Sequence, residues 1–449
     1  MWPCADHSGT PCLQRQRTKT VAIAAVALSV CFLVFQFVMQ HKLDSYRDVM
    51  NSKLRFFKAV PGEDTYLYSA IANFHDPEEG KLNIIITAFD GSDINYECCV
   101  HLDDKTLLRT PSKLVYGENR ATAKRLGQRF SERIHGKPDE NKLKKEKQYH
   151  CGVSGNLRAS HVTLTSSSCP SNTQDYLPIV YPKTVPADGL AICAKVAFGT
   201  ELDPNVLMEW FEVQRLLGVD HIQLMDLDNP EPIQKVFRYY SDMDFLELLP
   251  YELPGPPYGR GLHESTRVFN QFFHDESLPI LDCRRRLADY TYIMGVDMDE
   301  VLIPAKNQDL KTFIKEQLQS HPNAAGFFFW TQFFLYEWGP VNQDSDVTMF
   351  RYLNSTQPRW ECYKYIYLTQ RVKHATTHTI TPVSPYRQYT VPKEEAILHH
   401  YRQCPKGWKT CNPPRITDRS ILRFKDTLEG RLQKAREATG ISPQSLPKN

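Results

Sequence analysis

The chain has 449 residues, of which 41% are hydrophobic and 24% are charged, and this composition excludes a largely disordered protein. Its 54 Lys and Arg residues nearly balance 52 Asp and Glu, and a net charge of +2 argues against a protein that grips nucleic acid through its overall charge. At ~150 residues per domain, this length allows about three structural units, or one large domain with appendages.

A long apolar segment lies near the N-terminus, at residues 21–39. It has 19 residues and no charge, so as a helix it would be ~28 Å long, close to the ~30 Å of a bilayer core. Basic residues precede it and favour a cytosolic position for residues 1–20. A cleaved signal peptide is the alternative, but its apolar part usually has only ~7–15 residues. We therefore predict a transmembrane signal anchor, followed by a stem at residues 40–75, in a single-pass type II membrane protein.

Nine cysteines follow the predicted anchor, on the side that we expect to be luminal and oxidising. An odd number leaves at least one thiol free or paired with another chain. Cys98 and Cys99 are neighbours in a predicted strand, so their side chains point to opposite faces and need different partners. The sequence leaves the pairing open among Cys98, Cys99, Cys151, Cys169, Cys193, Cys283, Cys362, Cys404 and Cys411.

Two regions differ in the pattern of their apolar residues. Residues 76–185 contain strand-like runs, such as 82–89 and 161–165, which predict a small β-rich accessory domain. Residues 186–430 alternate short apolar strands with amphipathic helices, which predicts an α/β fold with a mainly parallel sheet flanked by helices. Residues 431–449 are interpreted as a C-terminal tail. Because ligands bind at the carboxyl ends of parallel strands, we expect the chemistry at that edge of the sheet.

One predicted core strand, residues 291–296, runs directly into Asp297-Met298-Asp299-Glu300. In an extended chain residues i and i+2 share a face, so Asp297 and Asp299 would point together and Glu300 away from them. Two convergent carboxylates suit Mn²⁺ or Mg²⁺, ions that also bind phosphate oxygens. The alternative is a capped turn with solvated acids.

A second polar feature lies near the C-terminus, where a predicted strand contains His399 and His400. Adjacent residues of a strand face opposite sides, so only one of the two histidines can join the metal site. Imidazole is an acceptable ligand for Mn²⁺ and suits Mg²⁺ less well. A structural role is the alternative for either histidine.

Taken together, these residues resemble glycosyltransferase family 92, a family of luminal type II enzymes with a GT-A-like nucleotide-sugar domain. The resemblance extends from about residue 60 to residue 421. It rests on an ordered set of short motifs: Cys193-Ala194-Lys195, Glu209-Trp210, Leu217-Gly218-Val219-Asp220-His221, Gln271, Asp282-Cys283, Arg286, Asp297-Met298-Asp299-Glu300 and His400-Tyr401-Arg402.

The resemblance implies a metal-assisted transfer of galactose from UDP-galactose to a glycan hydroxyl, with inversion to a β-linkage. It also implies a GT-A-like α/β domain in the Golgi lumen, a UDP-sugar donor, a glycan acceptor, and Mn²⁺ or Mg²⁺ as the cofactor. A nucleic-acid partner is not expected, and the sequence leaves the oligomeric state open.

The resemblance also suggests roles for individual residues. Asp297, Asp299 and His400 are the expected metal ligands, with Asp297 also positioning the ribose. Asp226 and Asp228 are equally compatible with a role as helix-capping turn residues. For Lys195, a surface position at a strand edge is favoured over a contact with phosphate. Contacts with the nucleotide sugar are assigned to Lys195, Asp226, Asp228, Gln271, Asp282 and Asp297.

Inversion requires a base that takes the proton of the acceptor hydroxyl. Glu337 is the first choice for this catalytic base and Glu361 the second. Aromatic side chains in the same region could stack on the apolar faces of sugars, although most of such a run is expected to be core. These side chains are Trp330, Tyr336 and Trp338.

Two other functions are compatible with the same features. The first is a non-catalytic glycan-binding membrane protein on a transferase-like scaffold, which would keep the aromatic surface without turning over a donor. The second is a metal-dependent phosphohydrolase, although two-metal hydrolases usually use more acids and histidines than this chain brings together.

Overall fold

The computed structural model describes residues 56–73, 81–92, 94–117, 144–154, 158–185, 187–199, 202–254, 271–404, 411–412 and 415–443. Residues 1–20, the predicted anchor at residues 21–39 and half of the predicted stem lie outside these ranges. Within the described ranges, no helix combines the length and the apolar character that crossing a bilayer requires.

The first part of the described chain forms an eight-stranded sheet. Its neighbouring strands are antiparallel, in the order β1-β2-β3-β6-β5-β4-β7-β8, and a parallel pairing of β2 with β8 closes seven of them into a ring. Ile84, Ile86 and Ala88 alternate along one strand and are fully buried in its core. The strands are β1 (Lys58–Ala59), β2 (Thr65–Asn73), β3 (Lys81–Asp90), β4 (Glu97–Leu102), β5 (Leu107–Tyr116), β6 (Lys145–Ser154), β7 (Ala159–Thr165) and β8 (Leu177–Val180).

A β-rich region therefore precedes the α/β region, as the sequence predicts. It begins earlier than residue 76, because β1 and β2 lie within the residues that were assigned to the stem. At the other end, the last helix of the chain continues to Thr439, beyond the predicted boundary at residue 430. The described residues, all of which lie after position 55, belong to one structural unit.

The second part of the described chain is α/β. Its strands are β9 (Leu190–Ala197), β10 (His221–Asp226), β11 (Leu246–Pro250), β12 (Tyr292–Gly295), β13 (Glu300–Pro304), β14 (Ala324–Leu335), β15 (Asn354–Ser355), β16 (Arg359–Leu368), β17 (Val372–Ala375), β18 (Ile380–Pro382), β19 (Arg387–Thr390), β20 (Ala396–Arg402) and β21 (Ile416–Thr417). The described residues also form six α-helices: α1 (Pro204–Leu216), α2 (Glu231–Asp242), α3 (Gln271–Arg286), α4 (Leu310–Ser320), α5 (Thr348–Arg351) and α6 (Lys425–Thr439).

Nine of these strands form the central sheet, in the order β11-β10-β9-β12-β16-β14-β20-β13, with β19 beside β14. Five of its eight pairings are parallel, which agrees with the predicted mainly parallel sheet. The antiparallel pairings are those of β12 and β14 with β16, and of β13 with β20. Two smaller two-stranded sheets pair β15 with β21 and β17 with β18.

Helix α1 begins where the sequence predicts. The side chain of Asp203 accepts hydrogen bonds from the backbone N–H groups of Asn205 and Val206, at 2.7 and 3.3 Å, and proline occupies the first helical position. The buried face of the helix includes Trp210 and Val213, which pack into the core of the central sheet. This face brings α1 against the strands that carry the candidate site.

Helix α3 lies between the two sheets and joins them. Its carboxylate Asp282 accepts a hydrogen bond from Ser69 of β2, and the carbonyl oxygen of Leu281 accepts one from the side chain of Gln148 in β6, at 3.1 Å. On the side of the central sheet, Cys283 forms a disulfide with Cys193 of β9.

Four disulfides account for eight of the nine cysteines after residue 40. Cys98 and Cys99 have different partners, which confirms the prediction from strand geometry. Cys362 is the free cysteine within the described residues. The pairs are Cys98–Cys151, Cys99–Cys169, Cys193–Cys283 and Cys404–Cys411.

Candidate active site

The acidic motif forms a turn between β12 and β13. The backbone N–H of Glu300 donates to the carbonyl oxygen of Asp297 at 3.1 Å, so residues 297–300 reverse direction instead of remaining extended. The alternation that would place Asp297 and Asp299 on one face therefore does not apply. Glu300 begins β13, and the register of β13 with β20 places it directly opposite His400. Residues opposite each other in an antiparallel pair point to the same face.

Three side chains converge at this point. His400 Nε2 lies 3.1 Å from Asp299 Oδ2, and His400 Nδ1 lies 3.3 Å from Glu300 Oε1. One potential ligand atom from each of the three residues lies within 4.8 Å of the other two. Asp299 and His400 thus come together as predicted, whereas the third member of the cluster is Glu300 and not Asp297.

The atoms of this cluster fit a divalent cation. Glu300 Oε1 and His400 Nδ1 are buried and face each other at 3.3 Å, but neither makes a hydrogen bond within the described part of the chain. Buried polar atoms that make no hydrogen bond are costly and are expected to have a use. Two carboxylates and one imidazole form a ligand set that suits Mn²⁺, and they suit Mg²⁺ less well because of the imidazole.

Asp297 is held by two lysines. Its Oδ1 lies 2.8 Å from Lys195 Nζ, and its Oδ2 lies 2.9 Å from Lys364 Nζ. Burial would raise the pKa of Asp297, but the two ammonium groups outweigh it and hold the pKa of this carboxyl well below its usual range. Because both of its oxygens are paired with lysines, Asp297 is not part of the cluster of Asp299, Glu300 and His400, and its role as a direct metal ligand stays a prediction.

A bulge in β9 directs Lys195 toward this carboxylate. Cys193 pairs with Gln223 and Val196 with Met225, so two residues of β9 face one residue of β10. Lys195 is one of the two, and its φ of +58° lies in the left-handed region. Its ammonium group also lies 3.8 Å from Glu276 of α3. The predicted surface alternative does not hold for Lys195, because its side chain is only 10% exposed.

Lys364 is a site residue that the sequence analysis missed. Its side chain is 2% exposed, and its ammonium group lies 3.4 Å from Glu300 Oε2, which also accepts the backbone N–H of Asp297 at 2.8 Å. Burial would lower the pKa of Lys364, but Asp297 and Glu300 raise it above the ordinary value. A lysine inside the apolar strand β16 is itself a signal, since buried lysines require an anionic partner.

Glu300 and His400 also have shifted pKa values. Burial is the main cause that raises the pKa of Glu300, and Lys364 opposes it. Burial would lower the pKa of His400, but the neighbouring carboxylates of Asp299 and Glu300 raise it. The site therefore concentrates opposite charges around the buried side chains of Glu300, His400 and Lys364.

The predicted nucleotide-sugar residues are dispersed. Asp226 accepts hydrogen bonds from Asn229 and Gln234, which gives it the turn-forming role that the sequence left open. Asp228 is exposed, with a φ of +53°. Gln271 begins α3, and its side chain lies outside the described residues.

Asp282 differs most from its predicted role. It is fully buried, and its two oxygens accept hydrogen bonds from Ser69 and from Arg286, the latter at 2.7 Å. Both acceptors are therefore used inside the protein, where they join α3 to the first sheet. This arrangement corrects the expectation that Asp282 contacts the donor.

The two candidate bases are at the surface. Glu337 lies in a 3₁₀ turn, Tyr336–Trp338, and its Oε1 accepts the backbone N–H of Cys404 at 2.8 Å. Glu361 is also exposed, 3.7 Å from Arg359. The geometry of the cluster does not test either residue as the catalytic base, and both assignments stay predictions.

The three predicted stacking residues are partly buried and pack against neighbouring side chains. The ring of Tyr336 packs against Tyr352 at 4.9 Å. The indole N–H of Trp338 donates to the carbonyl oxygen of Cys411 at 3.0 Å, and Arg415 covers its ring at 4.8 Å. Trp330, like the other two, is partly buried, and the stacking role of all three stays a prediction.

An α/β fold with this site at its strand ends is glycosyltransferase-like. Residues 188–436, more than half of the chain, match the model of glycosyltransferase family 92, and the chain belongs to this family. The family makes the protein a transferase of sugars, and it implies a sugar donor and a glycan acceptor.

Similar proteins agree with this class over part of the chain. The beta-1,4-galactosyltransferase galt-1 of Caenorhabditis elegans is 27% identical over 120 residues, which are 26% of this chain and 25% of the relative. The match thus spans about a quarter of that protein.

Three solved structures are similar at 9–10% identity. HddC from Yersinia pseudotuberculosis has a TM-score of 0.23 and shares 55% of this chain and 98% of its own. S. aureus TarS 1–349 has a TM-score of 0.26, with coverages of 56% and 69%. UDP-glucose pyrophosphorylase from Acinetobacter baumanii has a TM-score of 0.22, with coverages of 57% and 95%. Scores of this size carry no structural argument.

Proposed function

We propose that this chain transfers galactose from UDP-galactose to a hydroxyl of a glycan, with inversion and with the assistance of Mn²⁺ or Mg²⁺. Membership of the family supports the transfer of a sugar, and the similarity to a galactosyltransferase supports galactose. The observation that carries the metal-assisted part is the convergence of Asp299, Glu300 and His400, with two of their buried atoms making no hydrogen bond in the described structure.

The chemistry requires stabilisation of the diphosphate that leaves with UDP. A divalent cation held by Asp299, Glu300 and His400 would offset this negative charge without a proton transfer. Lys195 adds a fixed positive charge at the same strand end, where it attracts an anionic donor. Asp297 keeps that ammonium group in place, because its own carboxylate is braced by Lys364.

The remaining requirement is a base for the acceptor hydroxyl. Glu337 is our proposed base, and its hydrogen bond to the backbone of Cys404 restricts its position. We also propose a Golgi location, with residues 21–39 as the type II anchor and the catalytic part in the lumen.

Donor turnover by the purified full chain tests the proposed function. UDP-galactose, UDP-glucose and UDP-N-acetylglucosamine are each incubated with a mixture of glycans, and UDP release is measured. We expect the fastest release from UDP-galactose, loss of release in a chelator, and recovery with Mn²⁺. Asp299→Asn should abolish release while the circular dichroism spectrum is retained, and the exposed Asp426→Asn should serve as the control.

The alternatives give different results in the same experiment. Binding of glycans without UDP release from any donor would favour the non-catalytic glycan-binding protein. Release of inorganic phosphate from a phosphomonoester, without sugar transfer, would favour the phosphohydrolase. Undiminished turnover by Asp299→Asn would exclude the proposed role of the cluster.

A further inference from the structure

An aromatic surface lies beside the candidate active site, and two of its three residues, Trp360 and Tyr363, were not selected by the sequence analysis. Trp360 is 39% exposed and stacks on Tyr363, with ring centroids 4.4 Å apart and an angle of 15° between the ring planes. Trp330 packs edge-on against Trp360 at 5.3 Å. Tyr363 is supported from below by the buried ring of Phe328, at 5.9 Å. Large exposed aromatic surfaces supported in this way are typical of binding sites.

A large bulge in β16 presents these rings. Lys364 pairs with Phe329 and Arg359 pairs with Thr331, so a single residue of β14, Trp330, faces residues 360–363 of β16. Bulges redirect side chains next to active sites. Here the bulge turns the segment out of the regular sheet directly before Lys364, the lysine that holds Asp297.

The aromatic surface of Trp330, Trp360 and Tyr363 is continuous with the candidate active site along β14. Phe329 pairs with Lys364, and Phe333 pairs with His400, whose ring lies 5.4 Å from the Phe333 ring. Trp330 directly follows Phe329 and lies three residues before Phe333. Three residues span ~10 Å along a strand. Burial and then the charge of Glu300 raise the pKa of the Cys362 thiol, which agrees with a bulge that borders the cluster.

A polar side chain borders the aromatic surface. His378, in the turn between β17 and β18, has its Nδ1 3.1 Å from the carbonyl oxygen of Tyr363. A carbonyl oxygen only accepts, so Nδ1 carries the hydrogen and Nε2 is left as an acceptor for a hydroxyl. His378 is exposed, so its ring can be reached by a ligand at this surface.

We propose that Trp360, supported by Trp330 and Tyr363, is the platform on which a pyranose ring of the acceptor glycan stacks, with His378 at its polar edge. This inference rests on the proposed function and adds the position of the acceptor to it. A pyranose fits because one of its faces carries C–H groups and its rim carries hydroxyls. The aromatic rings match the face and the imidazole matches the rim.

Kinetics of the full chain with Trp360→Ala test this proposal. We expect the acceptor KM to rise about tenfold, the equivalent of ~1.4 kcal/mol, with a much smaller change in the donor KM. Trp360→Phe keeps a stacking ring and should recover most of the loss. The control is Phe56→Ala, which removes an aromatic ring of similar exposure, 37%, beside the first sheet.

A binding measurement without donor separates this proposal from the proposed function. Saturation-transfer NMR with methyl β-galactoside, methyl β-glucoside and methyl α-mannoside should detect one or more of them on the wild-type chain and weaker signals on Trp360→Ala. Absence of UDP release together with such binding would reject the transferase function and keep the platform. Normal UDP release, with acceptor KM and glycoside binding unaffected by Trp360→Ala, would reject the platform and keep the function.

Discussion

Trp210 on α1 donates its indole N–H to the backbone carbonyl oxygen of Glu300, 2.8 Å away, and both residues are fully buried. Gln214, one turn further along the helix, donates to the same oxygen at 3.3 Å. The start of β13 is thus fixed to α1 by two hydrogen bonds. Since Glu300 belongs to the cluster, α1 helps to position the site, although none of the three cluster residues lies on α1.

Trp210→Phe should lower the free energy of unfolding by about 1–2 kcal/mol. It removes one hydrogen bond and part of a buried ring, while Gln214 still satisfies the carbonyl oxygen of Glu300. Urea unfolding measures the change, and Mn²⁺ affinity should fall as well. Phe211→Leu is the control, because it reduces packing on the same helix without a hydrogen bond and should leave the metal affinity unaltered. Equal Mn²⁺ affinities for the two variants would contradict this positioning role.

The two adjacent histidines should respond differently to substitution. His400→Asn should weaken Mn²⁺ binding at least about tenfold, since it removes a member of the cluster. His399 lies near Ser420 and Asp418, at 3.3 and 3.6 Å, so His399→Asn should cost about 1–3 kcal/mol of stability and spare the metal. Calorimetric titration with Mn²⁺ and thermal unfolding measure the two effects. Similar metal affinities for both variants would remove His400 from the proposed ligands.

Loss of Lys364 should be more damaging than loss of Lys195. Lys364→Met leaves Asp297 and the buried Glu300 without their shared cation, and breaking a buried ion pair in this way costs about 3–5 kcal/mol. Lys195 is more exposed, and Asp297 would keep its second lysine in Lys195→Met. Denaturant unfolding of both variants measures the difference. A smaller loss for Lys364→Met than for Lys195→Met would show that the charge network is not organised around Lys364.

Glu209 should make the stability of the protein depend on pH. It is fully buried and accepts the backbone N–H groups of Thr348 and Met349, at 2.8 and 3.2 Å, yet burial raises its pKa from the ordinary 4.5 to about 7. Because the folded state binds this proton more tightly than the unfolded chain, its contribution is fully present below pH 4.5 and is lost as the pH rises through 7. The whole loss amounts to roughly 3 kcal/mol.

Unfolding free energies at pH 5 and pH 8 measure this effect. Glu209→Gln cannot ionise, so it should remove this component of the pH dependence, although it also loses one of the two acceptors. The exposed Glu437→Gln should keep the wild-type slope. A wild-type slope in Glu209→Gln would mean that another group causes the dependence.

Local features of the sequence predicted the elements of the fold well. The start of α1 depends on Asp203 and the residues that directly follow it, and the acidic motif follows a strand as expected. The turn itself was not predicted, because alternation holds only for extended chain and residues 297–299 are not extended. That single difference moved Asp297 out of the cluster.

Partners that are distant in sequence explain the rest of the difference. Glu300 joins His400 through the register of β13 and β20, one hundred residues apart, and this register cannot be derived from either segment alone. Lys364 donates a hydrogen bond to Asp297, which lies 67 positions away in the sequence. Asp282 was assigned to the donor because the motif was considered alone, whereas its role depends on Ser69 in the other sheet.

The pairing of β2 with β8 has a consequence for biosynthesis. Ala70 and Ile71 pair with Ile179 and Val180, so the first ring of strands closes only when its last strand has been translated. Until then a nascent chain on the ribosome carries two open strand edges, which other chains could engage. Truncation before residue 177 should therefore yield insoluble protein, while termination after residue 185 leaves every strand of the ring available.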